Sequence, residues 1–290
     1  MAMLLDEKVV RGKVVVESPM ITVNEAHLPS VKLRQNATWF VMAVVFYGVV
    51  CGYMQFDPLM MVTEFDHVVN LANEMAPPNV SLLWASSSLY VTTYATVSMA
   101  FLGTLLGGVF ALVLSFFAAQ NVMPFAGVRS VTRLSMVLQR VTPTIIVLLV
   151  LQTVFGVGPF SGMVSIAIGS FGMFGKLFAD SVEQVDQGPL DGMACVGATR
   201  SQIVRYGILP EVLPSFIANM FYAFDINMRT AIGLGMFGGG GLGYELYKAG
   251  RTLNYKDQLA LILVIVVMIS LMERVSDYLR GKVMHGGQMK

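Results

Sequence analysis

"DGMACVGATRSQIVRYGILPEVLP" occupies Asp191 to Pro214. It is a polar island between two apolar stretches. Gly197 follows a short helix-compatible run and suits a left-handed helix terminator, because glycine has no Cβ to clash at positive φ. Arg200 to Tyr206 reads as a second short helix, and Pro210 and Pro214 restrict the backbone that follows. The segment therefore reads as two short helices set at an angle. It is longer and more structured than an ordinary connection. A rigid knuckle of this kind suits docking to a soluble partner.

The surroundings of this island are those of a membrane protein. The chain has 290 residues, of which 55% are hydrophobic and only 13% charged. Soluble domains are nearer a quarter charged. The net charge of +1 offers no field for nucleic acid. Cys51 sits in an apolar run and Cys195 in the polar island, so no disulfide is expected. Residues 1–36 mix Lys8, Arg11, Lys13, Glu17 and Glu25 with valines. That pattern lacks the unbroken apolar stretch of a signal peptide and reads as a cytosolic tail.

A helix needs about 20 mostly apolar residues to cross a bilayer. Six stretches approach this: Trp39–Tyr53 (extended to Phe56), Tyr90–Ala119, Ser135–Phe155, Gly162–Ala179, Pro214–Gly235 and Leu259–Leu279. The third carries Arg140 and Pro143 near its start; the fifth is interrupted by Asp225 and Arg229; the sixth stays apolar until Glu273. Cytosolic loops are enriched in Lys and Arg. The tail before the first span is basic, and no Lys or Arg occurs from Asn36 to Val128, where Asp57, Glu64, Asp66 and Glu74 lie. Arg129 and Arg133 follow span two; Lys176 lies near the end of span four, and Arg200 and Arg205 follow it; Arg274, Arg280 and Lys282 lie near the end of the chain. Alternation from these cues places both termini and the Asp191–Pro214 island inside. One loop breaks the rule: Lys248, Arg251 and Lys256, between spans five and six, fall outside.

"NMRTAIGLGMFGGGGLGYEL", Asn227 to Leu246, contains Gly233-x-Gly235-x-x-Gly238. A nucleotide-binding fingerprint must follow a strand and open a helix, and here it ends an apolar span. There is also no GxxxxGK[ST], so no P-loop for ATP. His27, His67 and His285 lack metal spacing. The 21 methionines suit adaptable apolar packing more than copper ligation. No grouping of nucleophile, base and orienting residue indicates catalysis.

Asp191, then Gly197, then Leu209-Pro210 resembles the EAA-x3-G-x9-I-x-L-P motif of permease subunits in bacterial ABC importers. Asp191 replaces the Glu, Gly192 and Met193 replace the alanines, and Gly207 stands where Ile is expected. "GILP" (207–210), "FDINMR" (224–229), "GMFGGGGLG" (235–243), "FFAAQNVMP" and "GVGPFSG" resemble the phosphonate branch of that family. The resemblance runs from about Leu82 to Arg280; methionine permeases carry a similar glycine stretch.

The resemblance implies an all-α integral membrane protein with the type I ABC importer permease fold and about six transmembrane helices, in a bacterial inner membrane. Residues 37–80 would hold the first helix and an outer segment, 81–282 the permease core with coupling helices near 188–207, and 283–290 a short tail. Asp191, Gly192, Gly197, Ala198, Thr199, Leu209 and Pro210 would contact an ATPase subunit. The implied partners are a second copy of the chain, two ATP-binding cassette subunits that bind ATP and Mg, and an external substrate-binding protein. No cofactor or metal is implied in the chain itself. The cargo would be phosphonate, phosphite or a phosphate ester; a methionine permease or a stand-alone secondary transporter is the alternative.

The expected pathway residues are Asp225, Asn227, Arg229, Gly238, Gly239, Gly240, Gly241 and Arg140. Charges at membrane depth face protein or a wet cavity. Asp225 and Arg229 share a helix face and neutralise each other, or Arg229 offers a planar fork to an oxyanion. Asn227 points nearly the opposite way. The glycines either loosen the helix at Gly233 and expose N–H groups to an anion, or permit close packing. Arg140 either snorkels to the interface or touches the lower pathway.

Overall fold

A computed structural model describes residues 28–54, 60–82 and 87–286. The tail as far as His27, the Phe56 extension, Asp57 and residues 287–290 lie outside the described residues. Among the described residues there is no strand. The chain divides into two compact units, 1–68 and 69–290. The first holds α1 (Leu28–Tyr53), whose Gln35–Tyr53 portion is long and apolar enough to span a membrane, and α2 (Met60–Thr63). The boundary falls within α3 (Phe65–Met75).

The second unit is built on α4 (Ser87–Ala118) and α7 (Pro159–Glu183), which pair extensively. The cause is a stripe of small residues. Ala100, Gly103, Thr104, Gly107, Ala111 and Ser115 are buried on one face of α4, and Ser161, Gly162, Ser165, Ser170 and Gly172 are buried on α7. A Cβ on Gly103 would stand 2.7 Å from Ile166 Cγ2, and one on Gly107 would run into the carbonyl of Ala167. In a bilayer no hydrophobic force drives helices together, so such close backbone approach supplies the packing.

α5 (Ala126–Val141) and α6 (Thr144–Phe155) replace the expected straight third span. They meet at 93°. Thr142 and Pro143 are extended, with φ/ψ of −77/118° and −60/130°. A residue preceding proline is driven out of the helical region, and proline brings no N–H to continue the ladder. Among the described residues there are thus five continuous candidate spans, and a sixth only if the bent pair counts as one.

After α7 come α8 (Gln187–Cys195) and the short α9 (Arg200–Gln202), which runs through a wide π turn, Ile203–Ile208, into α10 (Leu209–Leu234). The fifth span therefore starts before Pro214, which lies inside α10. Another π turn, Gly235–Gly239, leads to α11 (Gly241–Arg251) and then α12 (Tyr255–Gly286). α10 packs on α4, α7 and α12. Among the described residues three apolar clusters result. One joins Met99, Ile166, Met228, Leu242 and Leu261; a second joins Phe174, Phe178, Val182, Leu190, Ile208 and Phe216; a small third joins Ala118, Met136 and Ala179.

Candidate functional site

The Asp191–Pro214 island is an exposed elbow on a rigid base. Asp186 caps α8, its side chain accepting from Gly188 N at 3.1 Å. Gly197 ends α8 at φ +87°, with its N–H on Ala194 O at 3.0 Å and Ala198 N–H on Met193 O at 3.1 Å. Thr199 opens α9 in a capping box with Gln202; Thr199 N donates to Gln202 Oε1 at 2.7 Å. Asp191, Gly192, Gly197, Thr199 and Pro210 are exposed, Ala198 and Leu209 half-buried. Val196 and Tyr206 project outward at 85% and 65% exposure.

On the inner side of the elbow, Leu190 and Ile208 are buried against the aromatic core. There Phe174 and Phe178 stack at 5.1 Å, and Phe178 lies 4.1 Å from Phe216. The elbow is thus packed through these rings onto α7 and α10. Gly207, which departs from the resembling motif, packs closely against α8. A Cβ there would stand 2.7 Å from Leu190 Cδ2 and 3.2 Å from Met193 Sδ, so a larger residue would require these side-chain ends to shift. A Cβ on Gly192, by contrast, meets nothing within 4 Å. Beside the elbow, Gln120, Asn121, Pro124, Asp191, Ala194 and Arg200 help line a cavity of about 580 Å³.

Inside the span, Arg229 Nη1 donates to Asp225 Oδ2 at 2.8 Å. Its Nη2 also reaches Glu273 Oε2 on α12 at 3.4 Å. Asn227 turns the other way and donates to Thr104 Oγ1 at 2.7 Å and Ser170 Oγ at 2.8 Å. It thereby ties α10 to α4 and α7. The Asp225 and Arg229 positions come together as expected, whereas Asn227 is on a separate, inward surface. Arg140 is exposed in the last turn of α5, just before the bend, on a different helix from Arg229.

The glycine stretch does not loosen at Gly233, where α10 is still regular. The helix breaks at Phe237 and Gly238, whose φ values are −98° and +94°. Gly240 and Gly241 follow at +79° and +69°. An isolated glycine is tolerated in a helix, whereas a run of them removes the Cβ preference for the helical region at each step. Packing around the turn is tight. Gly239 and Gly241 are buried, a Cβ on Gly240 would meet Pro159 Cδ at 2.8 Å, and one on Gly241 would strike Thr96 Oγ1. Thr96 Oγ1 accepts from Leu242 N at 2.8 Å, and Gln152 Nε2 donates to Phe237 O at 2.8 Å. The turn is thus clamped by α4, α6 and α7.

Sequence reasoning singled out neither Glu273 as a partner of Arg229 nor Thr96, Gln152, Thr104 and Ser170 as clamps. The signal for Glu273 was present as the acid that ends the sixth apolar run. Nor did it single out Arg133, which pairs with Glu183 while its Nε donates to Ala118 O at 2.9 Å, or Asn121, which donates to Val182 O at 2.8 Å. Together they lock the ends of α4, α5 and α7 beside the elbow.

Residues 111–284 match the family described as binding-protein-dependent transport system inner membrane component. The phosphite transport system permease protein PtxC of Stutzerimonas stutzeri is 33% identical over 242 residues, covering 82% of this chain and 86% of that one. HtxC of the same organism, also named as a phosphite transport system permease protein, is 36% identical over 207 residues, 71% of this chain and 72% of that one. A solved chain of the inward-facing MetNI methionine ABC transporter superposes with a TM-score of 0.61 at 21% identity, covering 71% of this chain and 99% of that chain. That last likeness is one of fold. With several apolar helices, the match of residues 111–284 to that family and the 33% identity with PtxC establish that the chain belongs to the binding-protein-dependent transport family, as a multi-pass inner-membrane permease component of an ABC importer.

Proposed function

We propose that the chain forms part of the translocation pathway for a phosphorus oxyanion (phosphonate, phosphite or a phosphate ester). Coupling to a separate ATPase subunit runs through the elbow at Asp191, Gly192, Gly197, Ala198, Thr199, Leu209 and Pro210. ATP and Mg are bound by that subunit. The assembly is two copies of this chain, two ATP-binding cassette subunits and an external binding protein, with both termini cytosolic. The observation that carries the cargo reading is the similarity to phosphite-named permeases over most of both chains. Arg229 adds chemical support, because a guanidinium fork matches oxyanion geometry. The exposed cations Lys248, Arg251 and Lys256 on the expected outer face suit steering an anion or an acidic partner surface.

The runner-up is a methionine permease, favoured by the fold likeness and by a weaker sequence likeness to methionine permeases. A stand-alone secondary transporter has no repeat to support it. Cells dependent on this chain for uptake separate these readings. Labelled phosphite uptake competed by methylphosphonate, and indifferent to methionine, is the expected result. Competition by methionine alone would overturn the cargo reading.

A further inference from the structure

Arg229 has two carboxylate partners of unlike character. Asp225 is close, at 2.8 Å, and its side chain is only 15% exposed. Glu273 is farther, at 3.4 Å, and both it and Arg229 are about half exposed, at 50% and 48%. Half-exposed, long pairs contribute little and exchange readily. Asp225 is thus the fixed counter-charge, and Glu273 the replaceable one. Two carboxylates around one guanidinium also leave the trio with net negative charge. A third anion approaching Arg229 meets repulsion unless Glu273 moves away.

The face that bears Arg229 is mostly polar: Glu211, Ser215, Tyr222 and Arg229 are exposed at helical spacing with Asn219 half-buried between them, interrupted by the half-buried Ile226 and followed by the exposed Gly233. Asn219 Nδ2 donates to Ser215 Oγ at 3.4 Å. Such side chains in a membrane-spanning helix face protein or a wet cavity, not lipid. Glu273 reaches Arg229 on that face from α12, 44 residues distant in sequence.

We infer that Glu273 is the competing anion that releases cargo: an oxyanion takes its place on the Arg229 fork, and its return displaces the oxyanion. The inference rests on the oxyanion reading above and adds a residue to it. Glu273 acts through Arg229 and is a positioning residue. Its removal deepens the binding step, so tighter apparent binding comes with slower release.

The test is phosphite uptake by the complete transporter in proteoliposomes, with wild type, Glu273→Gln and Glu273→Asp compared at equal membrane amounts. Glu273→Gln is expected to lower KM about two- to fivefold, the range open to a half-exposed pair, and to lower kcat with it. Glu273→Asp is expected to restore most of both. A structural ion pair would instead lower the amount of inserted protein and leave KM of the remainder unchanged, which overturns the inference. Unchanged KM and kcat in Glu273→Gln overturn it too. Absence of phosphite uptake by wild type would overturn the cargo reading first, and this inference with it.

Discussion

At the scale of single residues, Arg229 decides between a cargo contact and a charge balance. Its bond to Asp225 satisfies one edge of the fork, yet Asp225 Oδ1 is buried without a partner. Lysine at 229 keeps the charge but loses the planar double donor. Arg229→Lys is expected to preserve insertion and cut phosphite transport by about tenfold, a loss equivalent to roughly 1.4 kcal/mol. If the arginine served only to neutralise Asp225, the double change Asp225→Asn with Arg229→Gln would transport normally. Uptake assays on these two variants separate the roles. The Asp225–Arg229 contact was legible in the sequence, because spacing on one helix fixes which side chains meet. Glu273 is visible in the sequence only as the acid that ends the sixth apolar run; its approach to Arg229 depends on how α10 and α12 pack, which no local pattern encodes.

Among elements, the elbow and the bend show how far local chemistry reaches. Gly197 was readable as a left-handed terminator because one glycine behind a short polar helix has a specific conformational use, and φ is indeed +87°. Pro143 was visible too, yet apolar residues on both sides of it made one continuous span look natural. The backbone restriction at Thr142 and Pro143 prevailed over hydropathy and turned the chain by 93°. The glycine break fell at Gly238 rather than Gly233 because Pro159, Thr96 and Gln152 clamp the later glycines, and these come from three other helices. Space around a Cβ on Gly197 is open, so Gly197→Val acts on backbone conformation alone. Strain of that kind costs about 1–3 kcal/mol and re-aims the elbow. Normal membrane levels with a loss of about tenfold in binding-protein-stimulated ATP hydrolysis are expected. Wild-type stimulation in this variant would remove the elbow from the coupling role.

In the whole molecule, the second unit has two candidate functional ends: an elbow seated on Phe174, Phe178 and Phe216, and a mid-span cluster on α10 and α12. α10 belongs to both, since it starts at the elbow and carries Asp225, Asn227 and Arg229. Packed interiors are stiff and transmit strain, so α10 offers a route from the elbow to that cluster. The most direct measurement is simultaneous ATP hydrolysis and phosphite uptake in liposomes holding this chain with its ATPase partner, on adding phosphite-loaded external binding protein. The account predicts that both rates rise together, and that neither rises when ATP or the binding protein is withheld. Phosphite entry without ATP hydrolysis, or hydrolysis indifferent to the loaded binding protein, would contradict it.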